Sequence, residues 1–150
     1  EILKPRLSDL GTVLIALPGL LIIGFCVSLI SPFFTAIPAI PRAAAPGSVP
    51  QWLAAGAACI STGYFEETYF RLYLLTRFRD LGLSPVRGVC LSTLLFSFCH
   101  IYEGPWGTLN AGAAGIFLSL LFIKQGSLHG IAWAHGAYNM LVYLTIRLFP

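Results

Sequence analysis

Between Leu10 and Pro41 the chain carries no charged side chain. The apolar part of that run, Thr12 to about Phe34, exceeds the ~20 residues a helix needs to cross a hydrocarbon slab of ~30 Å. In lipid the backbone must satisfy its own hydrogen bonds, so such a segment is a helix. The rest of the chain has the same character: it is 57% hydrophobic and 10% charged, with a mean hydropathy of +0.80. So few charges could not coat a water-facing domain without large apolar patches, which excludes a soluble enzyme. A secretory signal is the competing reading of the first run, with Lys4 and Arg6 as its basic region and Ala43, Ala44 and Ala45 as a small-residue cleavage site. Against it, the run is much longer than the ~7–15 apolar residues of a signal.

Pro38, Pro41, Pro46 and Pro50, with Gly47 and Ser48, mark residues 35–50 as a loop after the helix exit at Pro32. A second helix is expected from Gln51 to about Phe78, followed by a turn from Asp80 to Pro85. Further helices are expected over Gly88–His100, Trp106–Ile123 and Ser127–Ile146. The expected fold is all-α: one membrane domain of about five transmembrane helices around a buried polar site. Residues 1–50 form an N-terminal helix and loop, and 51–150 the core. Pro18 and Gly19 predict a kink in the first helix. Gly107, Gly112, Ala114 and Gly115 would let the fourth helix approach a neighbour closely.

If the helices alternate in direction, Lys4, Arg6, Arg77, Arg79, Arg87 and Lys124 fall at one end and Arg42 and Arg147 at the other. Six against two places the N-terminus in the cytoplasm. The net charge of +3 is scattered, so nothing in the chain suits nucleic acid. Cys26, Cys59, Cys90 and Cys99 lie in apolar stretches without a CxxC spacing and read as packing residues. No HExxH and no Gly-rich phosphate loop occurs.

Glu66, Glu67, Arg71, His100, His135 and Asn139 are out of place in hydrocarbon, where an ionisable group costs ~2.5–3.5 kcal/mol on insertion scales. Glu67 and Arg71 stand at i and i+4 on one helix face and can form a structural ion pair. Glu66 points ~100° away from that face and is left free for other work, such as accepting and returning a proton. His135 and Asn139 share a face in the same way, as do Phe96 and His100. At a rise of 1.5 Å per residue, Glu66, His100 and Asn139 each lie ~18 Å, and His135 ~12 Å, from one end of their helices. Four polar groups from three helices therefore meet at a common depth. His129, ~240° around its helix from His135, points away from them and reads as interfacial.

These residues form three ordered motifs: EETYFR at Glu66–Arg71, FSFCH at Phe96–His100 and HGAYN at His135–Asn139. The order EExxxR, FxxxH, HxxxN resembles the CPBP intramembrane proteases, which include the type II CAAX prenyl endopeptidases and bacterial relatives. The resemblance covers roughly residues 51–146. It implies that Glu66 with His100 activates a water, that His135 with Asn139 stabilises the oxyanion, and that Glu67 and Arg71 support the motif helix, with Arg71 available to a substrate carboxyl group. It further implies a protein or peptide substrate in the lipid bilayer: a CAAX-type tail, a maturing peptide or a C-terminal sorting tail. The compact single domain fits the bacterial inner membrane. Relatives usually carry more helices before the first motif, where this chain has one.

The reading is a glutamic-type enzyme with no cofactor. Two alternatives stand beside it. Glu66, His100 and His135 could ligate Zn²⁺ as two imidazoles and a carboxylate. Alternatively, the buried groups could form the relay of a non-catalytic scaffold or a proton-coupled carrier. On any of these readings at least four segments are apolar and long enough to cross or nearly cross the bilayer. The protein is therefore expected to leave membranes only with detergent and to give a helical circular dichroism spectrum. A strand-rich protein recovered from plain buffer would contradict the fold.

Overall fold

The computed structural model of the chain describes residues 4–33 and 44–148. Most of the expected loop, with Arg42, lies outside the described residues. Among the described residues the chain is helical throughout, apart from turns and short connections. Helix α1 (Ser8–Ile30) ends in a 3-10 turn at Ser31–Phe33. A long rod follows, made of α2 (Val49–Glu67), a π-helical segment (Thr68–Leu74) and α3 (Leu75–Asp80). The remaining helices are α4 (Pro85–Cys99), α5 (Gly104–Gln125) and α6 (Leu128–Leu148). Counting the rod once gives five helical passes among the described residues, as the sequence predicts.

The boundaries follow from local chemistry. Pro85 opens α4 behind the extended Ser84, where a missing N–H costs nothing. Gly126 closes α5 with a left-handed φ of 62° and donates its N–H to the Phe122 carbonyl at 2.8 Å. Ser8–Phe33 and Ile101–Gln125 are long and apolar enough to span a membrane on their own. The 15 residues of α4 rise only ~22 Å. The rod and α6 have the length, but their runs are broken by the polar residues of the motifs. The outer surface is apolar all round, with Leu14 and Phe25 on α1, Phe98 on α4 and Leu120 on α5 all exposed. That is the surface of a bundle solvated by lipid.

Inside, Ala16 and Leu20 of α1 pack with Leu118 of α5 and with Ile131 and Ala134 of α6. At the end of the bundle where α1 begins, Arg6 Nη2 donates to the Gly126 carbonyl at 3.2 Å and Thr12 bonds to Gln125. Ser127 Oγ donates to the buried Asp9 carboxylate at 2.6 Å and accepts the Gly130 N–H at 3.0 Å, so Asp9 also anchors the start of α6. Arg79 and Gly126 border one cavity of about 290 Å³, which brings the α3–α4 turn to the same end. Arg6, just before α1, the arginines of α3 and Lys124 at the end of α5 thus gather at one end of the molecule.

Helices α2 and α6 approach each other closely. A methyl placed on Gly63 would sit 2.6 Å from the Ala132 carbonyl oxygen, and one on Gly136 would sit 3.0 Å from that of Cys59. Backbone meets backbone there. On α5 the expected approach is also present: a Cβ on Gly115 would lie 3.1 Å from Thr93, and one on Gly112 3.3 Å from Ser97, both on α4. Gly107 faces Glu103 and brings no neighbouring helix closer. Among the cysteines only Cys59 is packed inside; Cys26, Cys90 and Cys99 are exposed, which corrects their reading as packing residues, and all four are free thiols.

Because the α2–α6 contact leaves no room for a side chain, Gly63→Val is expected to destabilise the folded protein by about 1–3 kcal/mol or more. A lower melting temperature and a smaller monodisperse fraction in detergent would report it. A Gly11→Val control, at a glycine with nothing within 4 Å of its added Cβ, is expected to behave like the parent.

Candidate active site

The rod delivers Glu66 and Glu67 from its middle, α4 ends at His100, and α6 carries His135 next to Gly136 of the glycine contact with α2. Glu67 is fully buried and Arg71 is 1% exposed. Arg71 Nη1 donates to Glu67 Oε1 at 3.0 Å, giving the pair that the i, i+4 spacing predicts. The same oxygen accepts a hydrogen bond from His135 Nδ1 at 2.7 Å. Glu67 therefore serves two helices at once. A carboxylate held beside a guanidinium accepts and does not donate, so the proton of that bond belongs to His135 Nδ1.

The imidazole of His100 is fixed in the same sense. Its Nδ1 lies 2.8 Å from the Phe96 carbonyl, which can only accept, so Nδ1 carries the proton and Nε2 is free. Both Nε2 atoms face Glu66: His100 Nε2 is 4.0 Å from Oε1, and His135 Nε2 is 3.7 Å from Oε2. These gaps are too long for direct hydrogen bonds. Oε2 of Glu66 is buried with no hydrogen-bond partner among the described residues. The three side chains are 18%, 12% and 9% exposed, so this part of the cluster can be reached while Glu67 and Arg71 cannot.

Phe96 backs the cluster. Its ring lies 4.3 Å from the Arg71 guanidinium carbon and 4.5 Å from the His100 ring centre, and it meets Phe70 edge-on at 5.0 Å. The face of Arg71 is thus covered by an aromatic ring, a favourable place for a desolvated guanidinium. Nothing leaves that side chain open to a substrate carboxyl group in this arrangement. On the outer side the exposed ring of Tyr102 stacks on His100, with centres 6.1 Å apart.

Of the residues singled out in the sequence, Glu66, Glu67, Arg71, His100 and His135 come together. Asn139 follows His135 by one turn of α6 and is half-buried, and none of the hydrogen bonds of the cluster reaches it. His129 lies off the cluster, with Nδ1 2.8 Å from the Tyr64 hydroxyl and its ring against Trp133. Two features were not legible in advance: the bond from His135 to Glu67, and the π-helical winding just after Glu67. The first needs knowledge of which helix lies opposite, and the second has no signature in the sequence.

A carboxylate and two imidazoles are a donor set suited to zinc. Among the described residues, however, no three His, Cys, Asp or Glu side chains are grouped so as to hold a metal ion.

These features define a polytopic helical membrane protein with a carboxylate and imidazole site inside the bundle. A family model described as Type II CAAX prenyl endopeptidase Rce1-like matches residues 48–141, and the chain belongs to that family. The match runs from the N-cap of α2 into α6 and takes in all three motifs, while α1 precedes it. Neither a curated protein nor a solved structure gave a match. The family supports a membrane-embedded endopeptidase as the general activity.

Since Glu67 is bonded to both Arg71 and His135, removing either member of the ion pair strands a buried charge, at a cost of about 3–5 kcal/mol. Glu67→Ala and Arg71→Ala are each expected to lower folded yield and melting temperature together with activity. Variants that express and melt like the parent would show that the pair is not buried.

Proposed function

We propose that the protein cuts a peptide bond of a membrane-associated protein or peptide by means of a water activated between Glu66 and His100, without a metal. The observation that carries this is the placing of the Glu66 carboxylate between two imidazole Nε2 atoms at 3.7 and 4.0 Å, each ring anchored through its other nitrogen. A water bound between Glu66 and His100 gives a proton to Glu66 as its oxygen attacks the carbonyl carbon. Negative charge moves to the carbonyl oxygen, where the Asn139 amide donates together with His135 in its doubly protonated form, which keeps Nδ1–H on Glu67 and offers Nε2–H to the oxyanion. Collapse of the intermediate breaks the C–N bond, and Glu66 returns the proton to the leaving amine.

Glu67 has a defined part in this scheme. By holding the Nδ1 proton of His135 it fixes which nitrogen faces the site, as an orienting carboxylate does in other hydrolases. Arg71 keeps Glu67 in place. Substrates of the CAAX-tail, maturation-peptide or sorting-tail kind all present a peptide bond near the membrane surface. A cytoplasmic N-terminus is supported by the gathering of basic residues at the end where α1 begins.

Glu66→Gln and His100→Ala are each expected to abolish cleavage nearly completely in detergent or proteoliposomes while folding is kept, and the double variant is expected to be hardly worse than either single one. Asn139→Ala is expected to lose ~10²–10³-fold, as for removal of one oxyanion donor. Chelators are expected to have no effect. Full activity of Glu66→Gln would overturn the role of Glu66, a parent protein that cleaves no substrate would favour the scaffold or carrier, and activity lost to a chelator and regained with Zn²⁺ would favour the metalloenzyme.

A further inference from the structure

One buried hydroxyl near the site has no part in the mechanism above. Ser92, on α4, is 1% exposed, and its Oγ donates to the Phe70 carbonyl at 2.7 Å. Phe70 lies within the π-helical segment Thr68–Leu74. This is a bond from one helix to the backbone of another, made at the stretch where the rod departs from α-helical winding.

Ser92 does not act in isolation. Ser92, Phe96 and His100 stand at i, i+4 and i+8 on α4 and so form one stripe along its face. Each member meets the rod at successive levels: Ser92 at the Phe70 carbonyl, Phe96 at the Phe70 ring and the Arg71 guanidinium, and His100 at Glu66. The first of these contacts is directional and is made to main chain, so it fixes where α4 lies along the rod.

The π segment makes that register matter. It contains the equivalent of one residue more than an α-helix would use over the same length. If it relaxed to α winding, residues before and after it would turn by ~100° relative to each other. The lower part, α3, is tied to α4 by the short turn Leu81–Ser84. With α2 locked against α6 at Gly63 and Gly136, the rotation would fall on α3 and pass through that turn to α4, carrying His100 away from Glu66.

We propose that Ser92 is a positioning residue: by bonding the Phe70 carbonyl it holds the π-helical segment and so sets the approach of Glu66 to His100. The proposal rests on the reading of Glu66 and His100 as the water-activating pair.

The test compares Ser92→Ala, Ser92→Thr and Ser119→Ala, the last removing a fully buried hydroxyl on α5 that has no hydrogen-bond partner among the described residues. Ser92→Ala is expected to lower kcat by ~10- to ~100-fold per folded molecule with KM within about twofold, the scale of a small misplacement in a preorganised site. It is also expected to speed amide hydrogen exchange in peptides covering residues 68–75. Ser92→Thr, which keeps the hydroxyl, is expected to restore both measures, and Ser119→Ala to change neither. A Ser92→Ala protein that cleaves and exchanges like the parent overturns the proposal. So does one whose loss of activity only tracks loss of folded protein, or a Ser92→Thr protein that fails to recover. The exchange measurement does not depend on cleavage: if the parent itself cleaves no substrate, the function proposed above fails, while faster exchange in Ser92→Ala alone still shows the hold on the π segment.

Discussion

The arrangement depends on one carboxylate oxygen. Glu67 Oε1 accepts from Arg71 on its own rod and from His135 on α6, in a place with no access to solvent. A lone carboxylate there would be too costly to keep ionised. With a guanidinium on one side and an imidazole N–H on the other, it becomes a junction that fixes three side chains from two helices. The neighbouring Glu66 has no such partners, and its position a step around the helix leaves it facing the Nε2 atoms of His100 and His135. Adjacent glutamates thus take opposite roles through helical geometry alone, one consumed by structure and the other left available.

The frame around this junction is built from two kinds of contact. At mid-bundle, Gly63 and Gly136 let α2 and α6 touch through their backbones, which brings Glu67 within reach of His135. At the basic end, Asp9 and Ser127 tie the start of α1 to the start of α6, so that a helix outside the family-matched span helps fix the one that carries His135. Without a hydrophobic drive between helices in lipid, close packing and interhelical hydrogen bonds are what remains to hold such a bundle. Both occur here next to polar groups that require exact placement.

How much of this was legible follows from what a helix can reveal of itself. The passes were legible because uncharged runs and Pro or Gly punctuation are local, and the ion pair because i and i+4 face each other on any helix. The common depth of Glu66, His100 and His135 could be obtained from residue counts, since rise per residue is constant. Which glycines let main chains approach was not: α5 shows the denser stripe of small residues, yet helices α2 and α6 meet backbone to backbone with a single glycine on each side. The second partner of Glu67 was hidden for the same reason, being set by the packing of two segments far apart in the chain. The π winding was hidden because it is stabilised from outside, by Ser92 of another helix.

The glycine contact also bears on how the bundle can move. Two helices whose main chains touch leave no side chains between them to rotate aside, and they part only by moving as whole bodies. The wall formed by α2 and α6 therefore behaves as a fixed post. Opposite it, α4 is short, ends at His100 and is held to the rod by side chains, with a 3-10 turn and the exposed Tyr102 ring just beyond. The cluster is thus walled rigidly on the α2–α6 side, and its exposed rim lies at the turn after α4.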